Sequence, residues 1–539
     1  MAATIDLARP VAGVLTARQR TRVLAAMCLA LVLVVAGVSM VAVGLPDIAR
    51  NLSLSQTSVN WVADAYALVL ASLLMVAGAI GDRYGRRGAL LAGVAVFAGG
   101  SLLSAIAGNG GVLIAARAIT GIGGALIMPG TLSTITSVFP AEERARAVGI
   151  WAGFAGAGGT LGMLGAGWML STFAWPSIFY ATAAVAAVTF AAIVAFVPAT
   201  RAGDRIGLDP VGTVLSAAGI GGLVLGIIES PTRGWLDALT MMSIAAGVIM
   251  LVAFVWWELR TDHPLLDPRL FRNAGFATGS ASMLVLFLVL FGAFLVLLQY
   301  LQLILGDSAL KAAAALLPMT VVMVPISTIA APLSERYGQR LVGGSGLLVS
   351  AAGVVALARL GAHSGFLPLL VAEVVLAAGI GLAMTPATNA IVSSLPAAKQ
   401  GVASAVNDTT REVGTALGIA IMGSAFDAGY RHALNAHLVG APAGAAAAAR
   451  QSPAVALQVA ARLGRAGDGL VRATQDAFTS GMHLAMLLGA VLLGAIALYT
   501  ITRAPGRAPQ PGDGVLDDAL ALEDVLALGG ALVTVPVED

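Results

Sequence analysis

The chain alternates long apolar stretches with short polar ones. Fourteen apolar stretches approach the length of about 20 residues that a helix needs to cross a bilayer. Because lipid offers backbone N–H and C=O groups no partner, stretches without strand-like alternation predict helices and exclude a barrel. The pattern therefore predicts an all-α integral membrane protein with fourteen transmembrane helices, near residues 23–45, 58–80, 88–107, 111–138, 147–170, 177–197, 210–229, 238–257, 276–303, 312–333, 341–360, 366–391, 401–426 and 478–501.

The composition agrees with a lipid environment. Of 539 residues, 58% are hydrophobic and 11% are charged, whereas soluble domains carry about 25% charged residues. Soluble enzymes, nucleic-acid binders and disordered scaffolds are excluded, because they need more charge to dissolve or to hold phosphates. The one cysteine, Cys28, lies in the first apolar stretch, so no disulfide framework is predicted. The sequence contains no Walker-type loop and no His/Asp/Glu cluster with ligand spacing, so we expect no cofactor, no metal and no ATP-driven pump.

The basic residues indicate the orientation. If both termini are cytoplasmic, nineteen Lys and Arg residues fall in cytoplasmic segments and four in short outer loops. The positive-inside rule favours this arrangement, so we predict a multi-pass protein of the cytoplasmic (inner) membrane with both termini in the cytoplasm. The nineteen are Arg9, Arg18, Arg20, Arg22, Arg83, Arg86, Arg87, Arg144, Arg146, Arg201, Arg205, Arg260, Arg269, Arg272, Arg336, Arg340, Lys399, Arg503 and Arg507. The four are Arg50, Arg233, Lys311 and Arg359.

A short loop pattern occurs twice. Asp82-Arg-Tyr-Gly-Arg-Arg87 follows the second helix, and Glu335-Arg-Tyr-Gly-Gln-Arg340 follows the tenth, 253 residues later. Eight helices separate the copies where two plain six-helix halves would give six, so two helices are inserted between the halves. Such repeats are typical of secondary transporters, in which two bundles move about a midplane site. The predicted parts are an N-terminal tail 1–22, a six-helix bundle 23–197, an inserted pair of helices 198–260, a second six-helix bundle 261–502 and an acidic tail 503–539.

The repeated loop is a candidate gate. Gly78 lets two helices approach, Gly85 turns the chain, and Asp82 can bond helix ends or basic side chains of the other bundle. Such a contact would close one side of the membrane in one state and break in the other. The alternative is that the arginines only anchor helix ends, but the acid kept in both copies favours a gate. The predicted gating residues are Gly78, Asp82, Arg83, Gly85, Arg86, Arg87, Glu335, Arg336 and Arg340.

Two segments lie outside the predicted helices. Residues 427–476 form a long extracytoplasmic loop, rich in Ala and Gly, in which Val455 to Leu463 has the pattern of an amphipathic surface helix. The favoured interpretation is a packed lid without chemistry. The tail from Arg503 carries seven acids, Asp513, Asp517, Asp518, Glu523, Asp524, Glu538 and Asp539, and is predicted to be a cytoplasmic extension.

Ionisable residues within the helices are the candidates for proton coupling, because a charge at mid-bilayer needs a function or a partner. They are Asp64, Arg117, Glu373, Asp408 and Glu412. Asp64 and Arg117 share a depth of about 9 Å and could form a permanent or a switchable salt bridge. Glu373 has no charged neighbour in sequence, and it is either a proton carrier or solvated among the head groups. Asp408 and Glu412 are four residues apart beside an arginine, and they form a gate, a structural network or part of a substrate site.

A substrate cavity would be wide and mostly apolar with few polar anchors. Aromatic residues and methionine suit varied lipophilic or cationic ligands, although most such residues in a helical membrane protein only pack against lipid or neighbours. The candidates are Trp61, Tyr66, Phe291, Phe294, Gln299, Tyr300 and Met323.

The loop from Asp82 to Arg87 resembles the signature of the major facilitator superfamily. Fourteen helices resemble the drug:proton antiporter branch of that family, which includes quaternary-ammonium and multidrug efflux pumps. Four further stretches carry the resemblance: Trp61-Val-Ala-Asp-Ala-Tyr66, Arg117 with Gly121-Ile-Gly-Gly124, Pro264-Leu-Leu-Asp-Pro-Arg-Leu-Phe271 and Asn407-Asp-Thr-Thr-Arg-Glu412. The resemblance implies alternating access, export of small lipophilic or cationic drugs in exchange for protons, and antibiotic resistance. The expected partners are the substrate, protons and membrane lipid, and we expect a monomer.

The sequence departs from this family at three places. The first-helix acid that the family links to proton coupling corresponds here to Gly37, nine residues before Pro46. The fifth helix keeps the glycine-dense run, with Gly153, Gly158, Gly162 and Gly167 as predicted packing positions, but the usual Gly-Pro pair reads Gly162-Met163. The acid that some quaternary-ammonium pumps carry on the tenth helix corresponds to Met323. Three alternatives follow: a lipid or amphiphile transporter, an uncoupled facilitator, or a membrane sensor that no longer transports.

Overall fold

The computed structural model describes residues 15–198, 209–396, 399–438, 446–447, 449–450 and 452–506. Several sequence predictions fall outside these residues. They concern the first part of the N-terminal tail with Arg9, the segment with Arg201 and Arg205, part of the long extracytoplasmic loop, and the acidic tail from Arg507 onward.

The regular elements of the described chain are helices, and no strand occurs among them. Fifteen α-helices follow one another, α1 Ala17–Asn51, α2 Gln56–Tyr84, α3 Arg86–Ala105, α4 Gly110–Val138, α5 Ala141–Thr172, α6 Pro176–Phe196, α7 Pro210–Arg233, α8 Ala238–Glu258, α9 Ala274–Gln299, α10 Ala309–Ala315, α11 Leu317–Ala358, α12 Phe366–Ser393, α13 Gln400–His437, α14 Pro453–Leu463 and α15 Asp468–Arg503. A 3-10 turn, Pro268–Arg272, precedes α9, and a π-helical turn, Tyr300–Ile304, extends it. The predicted all-α fold is confirmed.

The number of membrane-spanning segments agrees with the sequence. Within the described ranges, twelve helical segments are long and apolar enough to cross a membrane. One of them, Leu310–Ala358, contains a break at Gly338 and consists of two spans. The helix α13, 38 residues long, is less apolar because it carries Asp408, Arg411 and Glu412, and it packs within the bundle. Counting both parts of α11 and adding α13 gives the predicted fourteen.

The start of each helix is set by short polar residues where the chain supplies them. Ser55 accepts a hydrogen bond from Ser58 N (3.2 Å), and Asn109 accepts one from Val112 N (3.0 Å). These side chains satisfy N–H groups that have no partner within the first turn. The caps therefore fix where α2 and α4 begin after their loops.

Helices α1–α6 and α9–α15 pack in the same order. In the first set, α1 lies against α5, α2 against α4, and α3 against α6. In the second, α9 lies against α13, the first part of α11 against α12, and its second part against α15. The inserted helices α7 and α8 pack on each other, and α7 also lies against both α2 and α13. The matching order supports an internal duplication, and the exact domain limits stay a prediction.

The two copies of the repeated loop share a backbone conformation and a contact. Gly85 has φ 107° and Gly338 has φ 83°, values that L side chains rarely adopt. Arg87 Nη2 donates to Val194 O (2.8 Å) near the end of α6, and Arg340 Nε donates to Ala504 O (3.1 Å) just after α15. Each copy therefore ties its loop to the last helix of its own set.

The long loop is shorter than predicted. The helix α13 continues to His437 and α15 begins at Asp468, so both helices extend into the predicted loop 427–476. A helix can continue into water with polar residues, because its backbone groups bond within the helix. The predicted amphipathic helix is present as α14, Pro453–Leu463, which packs on α15 and buries Ala456 and Ala460.

The glycines of α5 face two ways. Gly158 and Gly162 lie against α1, and a Cβ added to Gly162 would meet Ala36 Cα at 2.7 Å. Gly153 and Gly167 face the other set of helices, where added Cβ atoms would meet Val324 Cα at 2.9 Å and Leu310 Cδ1 at 3.2 Å. The absence of side chains thus lets α5 contact both sets closely.

Substituting Gly162 tests this packing. We expect Gly162→Ala to destabilise the fold by about 1 to 3 kcal/mol, because the added methyl group meets the backbone of α1. The matched control is Gly165→Ala on the same helix, where an added Cβ has no neighbour within 4 Å. Helix propensity alone makes this control neutral or stabilising. Thermal unfolding of the purified proteins in one detergent measures the difference, and equal melting temperatures for the two variants would contradict the prediction.

Candidate functional site

The candidate site lies at the seam, which we define as the contact surface between α1–α6 and α9–α15. Helices α2 and α4 meet α13 there, and α5 meets α11. At one end of the seam, an added Cβ on Gly78 would lie 2.5 Å from Gly401 O and 2.8 Å from Ala405 Cβ. The backbones of α2 and α13 are therefore in direct contact at this end, which we call the Asp82 end.

Asp82 joins the two helix sets by capping α13. Its carboxylate accepts hydrogen bonds from Gly401 N at 2.8 and 2.9 Å and from Val402 N at 3.1 Å. The N-cap residue of α13, Lys399, makes no side-chain cap of its own. A negative charge at a helix start is stabilised by the unpaired N–H groups and the helix dipole. Arg86 Nη2 also contacts Asp82 Oδ1 at 3.1 Å, so the buried carboxylate has both a cation and N–H donors.

The second copy of the loop makes no such cap in this conformation. Glu335 is exposed, and within the described chain it forms no ion pair. Gln339 replaces Arg86 in the pattern and donates to Thr278 Oγ1 (3.3 Å). The start of α5, the counterpart of α13, has Pro140 at its cap position and no side-chain hydrogen bond. The two halves are thus joined by one of two equivalent loops.

A buried charge cluster lies on α13 beyond this contact. Arg411 is 3% exposed, and its Nη1 lies 3.4 Å from Asp408 Oδ1. Its guanidinium lies 4.6 Å from the ring centroid of Phe287 on α9 and 5.5 Å from that of Trp151 on α5. Aromatic faces partly replace the water that a buried cation loses. Because Trp151 belongs to the first helix set, the cluster extends across the seam.

Arg117 lies in a second buried group on the other side of the seam. It is 2% exposed, its Nε donates to Val62 O (3.1 Å), and its guanidinium lies 4.5 Å from the centroid of Tyr66. The Tyr66 hydroxyl is buried and has no hydrogen-bond partner within the described residues. The helices that carry Tyr66 and Arg117, α2 and α4, both pack against α13, which carries Glu412. The two buried groups therefore adjoin each other.

The Asp64–Arg117 salt bridge is not formed in this conformation, which disagrees with a permanent pair, and a switchable pair stays a prediction. Arg117 is satisfied by Val62 and Tyr66, and no ion pair joins it to Asp64 in the described part of the protein. Asp64 is half-buried, and its charged neighbour is Glu229 on the inserted helix α7. A shared depth placed the two residues at one level of the membrane, but it did not determine which way each side chain faces.

Glu373 is isolated as predicted. It is 0% exposed, and neither of its carboxyl oxygens has a hydrogen-bond partner among the described residues. The alternative of a solvated carboxylate among head groups disagrees with this burial. An unpaired buried carboxylate costs several kcal/mol or more as an anion, so the packing around Glu373 accommodates the neutral acid.

The predicted cavity residues divide into two groups. Trp61, Phe291, Phe294 and Gln299 are half-buried, and Phe291 stacks on Phe287 at 5.9 Å between ring centroids. Tyr66, Tyr300 and Met323 are at most 2% exposed and do not line open space here, which corrects the prediction for these three.

Specific contacts explain the burial of Tyr300 and Met323. The Tyr300 hydroxyl donates to Gly361 O at 2.8 Å, so its polar atom takes part in a structural hydrogen bond. Met323 fills the notch that Gly156 leaves on α5, where an added Cβ would overlap its Cε. Both side chains are therefore occupied by protein contacts in this conformation.

Gly37 does not face the seam. An added Cβ would lie 3.2 Å from Phe97 Cζ and 3.9 Å from Thr182 Cγ2, so α1 is packed at this point against α3 and α6. A carboxylate here would have to displace Phe97. Nor do the described residues contain a group of three or more His, Cys, Asp or Glu side chains that could hold a metal ion.

Three residues of the site were missed in the sequence. Gly401 receives the Asp82 carboxylate, while Trp151 and Phe287 flank Arg411. The sequence shows that an arginine inside a helix needs partners, but aromatic residues on other helices become its partners only through tertiary packing. Gly401 had one available signal, its position at the start of an apolar stretch.

Comparison with known proteins identifies the family. The family model described as Major Facilitator Superfamily matches residues 27–419. The chain belongs to the Major Facilitator Superfamily. This confirms the resemblance seen in the sequence, and membership in a family of transporters confirms that the protein is not an enzyme. It is a multi-pass membrane protein.

Several relatives in this family are named for drug resistance or export. The chain is 34% identical over 489 residues to the multidrug efflux pump LfrA of Mycolicibacterium smegmatis, covering 89% of this chain and 96% of the relative. It is 31% identical to the tetracenomycin C resistance and export protein of Streptomyces glaucescens, covering 88% and 90%. It is 34% identical to the puromycin resistance protein pur8 of Streptomyces alboniger, covering 72% and 78%.

Solved structures of the family share the fold. The proton:xylose symporter XylE superposes with a TM-score of 0.57 at 15% identity, covering 91% of this chain and 96% of XylE. The human organic anion transporter MFSD10 gives a TM-score of 0.57 at 15% identity, covering 88% and 99%. These matches confirm the predicted major facilitator fold.

Removing the Asp82 carboxylate should loosen the Asp82 end. We expect Asp82→Ala to cost about 0.5 to 2 kcal/mol of cap energy and to open the end about two- to thirty-fold more often. A cysteine replacing the buried Ser404 on α13 reports this opening through its rate of maleimide labelling, with the buried Cys28 as background.

The matched control is Glu335→Ala, which removes the same acid from the second copy. Glu335 is exposed and caps no helix in this conformation, so the Ser404→Cys labelling rate should not change. Equal rates for the Asp82 and Glu335 variants would show that the cap does not hold the end closed.

Proposed function

We propose that the protein is a secondary active transporter that exports lipophilic or cationic drugs by alternating access, in exchange for protons. The relatives named for efflux or resistance support the drug class and the direction. The observation that carries the proposal is the Asp82 cap on α13, a contact between the two helix sets that can form or break without unfolding either one.

The contacts suggest how the seam works. At the Asp82 end the halves are held by one capped helix start and by glycine backbones in contact. Such contacts are short-ranged, so a small rotation of one set breaks all of them together. Breaking the cap would leave Asp82 paired with Arg86 and the start of α13 open to water, which limits the cost of opening. In the proposed second state, Glu335 makes the equivalent contact with the start of α5.

Protons are the proposed driving ion, although Gly37 replaces the usual acid. Asp64, Glu373, Asp408 and Glu412 are the candidate carboxyl groups for coupling, with Arg117 and Arg411 as buried cations. Protonating Asp408 would weaken its contact with Arg411 and leave the cation to Trp151 and Phe287. Since these side chains come from both helix sets, a change of charge there would act on the seam.

The location belongs to the same proposal. The distribution of basic residues supports insertion in the cytoplasmic (inner) membrane with both termini in the cytoplasm. The Asp82 end is then the cytoplasmic end. The substrate would contact the half-buried Trp61, Phe291, Phe294 and Gln299, which still have exposed surface in this conformation.

One observation favours a second candidate function. Since residue 37 is a glycine packed against Phe97 and Thr182, the first-helix position that the family links to coupling has neither a carboxylate nor open space for one. The protein would then be an uncoupled facilitator or a transporter of lipids or amphiphiles. Reconstitution into vesicles with an imposed pH gradient separates the two functions. Substrate flux that does not depend on the gradient would exclude the antiporter function.

Asp64→Asn tests the coupling in such vesicles. If Asp64 replaces the missing first-helix acid, gradient-driven uptake of a fluorescent lipophilic cation should fall at least about tenfold, because an amide takes up no proton near neutral pH. Exchange without a gradient should persist. The control is Asp237→Asn, which removes an acid that caps α8 through Leu239 N at 3.0 Å, a role that Asn fulfils equally well. Normal coupling in Asp64→Asn would shift the role to Glu373.

Glu373→Gln tests that second carboxyl group. Glutamine resembles the neutral acid in shape, so the melting temperature should stay close to that of the unchanged protein. If Glu373 carries the proton, gradient-driven uptake is lost while exchange at equal pH continues. Full gradient-driven uptake in Glu373→Gln would assign Glu373 a packing role only.

A further inference from the structure

The structure contains a basic pocket at the second copy of the repeated loop. It has a volume of about 540 Å³ and is lined by Arg336, Tyr337, Arg340, Leu341 and Gly506. It lies where α11 breaks at Gly338 and where α15 has just ended at Arg503. Because both parts of α11 and the helix α15 span the membrane, this position is at the level of the bilayer surface.

The two arginines of the pocket keep unpaired positive charge and unused hydrogen-bond donors within the described residues. Arg340 Nε is held by Ala504 O at 3.1 Å, and its Nη atoms make no hydrogen bond within the described ranges. Among the described residues Arg336 forms no hydrogen bond or ion pair, and its guanidinium lies 5.3 Å from the ring centroid of Tyr337. In the described structure neither guanidinium pairs with a carboxylate, and the adjacent Glu335 does not line the pocket. Unpaired guanidinium groups in a pocket favour an anion with several acceptor oxygens.

The other side of the pocket is apolar and faces outward. Leu341 is 59% exposed and Leu348, seven residues further along the same face of α11, is 48% exposed. In a membrane this face contacts acyl chains. A ligand that fills the pocket therefore meets two cations at the surface and a hydrocarbon face directly beneath them.

We propose that this pocket binds the head group of an anionic phospholipid, with the phosphate at Arg336 and Arg340 and an acyl chain along Leu341 and Leu348. The arrangement of cations above an exposed apolar face is complementary to an amphiphile, whereas a free anion would use only the cations. The lipid would bridge the α11 break and the end of α15, which Arg340 already ties together through Ala504. Its binding would therefore stabilise the second copy of the repeated loop.

Titration with lipids tests the site. The full-length protein, purified in a neutral detergent and stripped of lipid, is titrated with phosphatidylglycerol, with phosphatidylcholine of the same chains, and with soluble glycerol phosphate. Native mass spectrometry counts the bound molecules. We expect phosphatidylglycerol to bind more tightly than either other ligand. Removing both charges by Arg336→Gln with Arg340→Gln should weaken it about thirtyfold, on the basis of about 1 kcal/mol per basic residue.

Two further variants control for structural damage. Arg336→Gln alone leaves the Arg340 contact with Ala504 intact and should weaken binding about fivefold. Arg359→Gln removes an exposed arginine at the other end of α11 and should have no effect. Equal binding by the double variant and the unchanged protein would overturn the proposal.

Two other occupants are distinguished by the same measurements. Glycerol phosphate binding as tightly as phosphatidylglycerol would indicate a free-anion site and overturn the lipid assignment. The seven acids after Gly506 offer a second occupant with matching charge. If replacing them by Asn and Gln raises phosphatidylglycerol affinity about thirtyfold or more, the acidic tail occupies the pocket and the proposal fails.

Discussion

The contact between α2 and α13 at Gly78 and Gly401 is the constraint on which the rest of the seam depends. Without side chains at these two positions, the helices approach until their backbones touch. Only at that separation can the carboxylate of Asp82 reach the first N–H groups of α13. A side chain at either glycine would separate the helices, and the carboxylate would lose its donors and remain with Arg86 alone.

The buried charges follow from the same close approach. Arg411 and Arg117 are sheltered from water because helices from both sets surround them, and each lies against an aromatic ring. A guanidinium in a dry bundle is costly unless it is paired. The cluster is therefore best satisfied when the two sets are together, which makes the position of one set depend on the charge state of groups in the other. The loop contacts further favour the conformation in which the Asp82 end is closed, because Asp82 caps α13 whereas Glu335 is exposed.

The sequence was sufficient to predict the features that depend on the lipid environment and on the internal repeat. The helices followed from apolar length, and the role of Asp82 at a helix end followed from an acid kept in two similar loops. The partner of Asp82, Gly401, could not be predicted, since nothing in the neighbouring sequence identifies the helix that approaches it. The Asp64–Arg117 pair is not formed in this conformation for a related reason: residues at one depth can face different neighbours, and Arg117 contacts the Val62 carbonyl and the Tyr66 ring. Tyr300 and Met323 were assigned to the substrate cavity from the chemistry of their side chains alone, but their packing partners determined their positions.

The inserted helix α7 has a mechanical consequence. It lies against α2 and α13 together, so on this flank it bridges the line along which the two halves meet. In the proposed alternating-access motion, both halves would slide past this common helix, which favours rotation over sideways separation. A lipophilic molecule that approached this flank from within the bilayer would therefore meet α7. At the other contact between the halves, α5 packs directly on α11, and Met323 fills the notch that Gly156 leaves there.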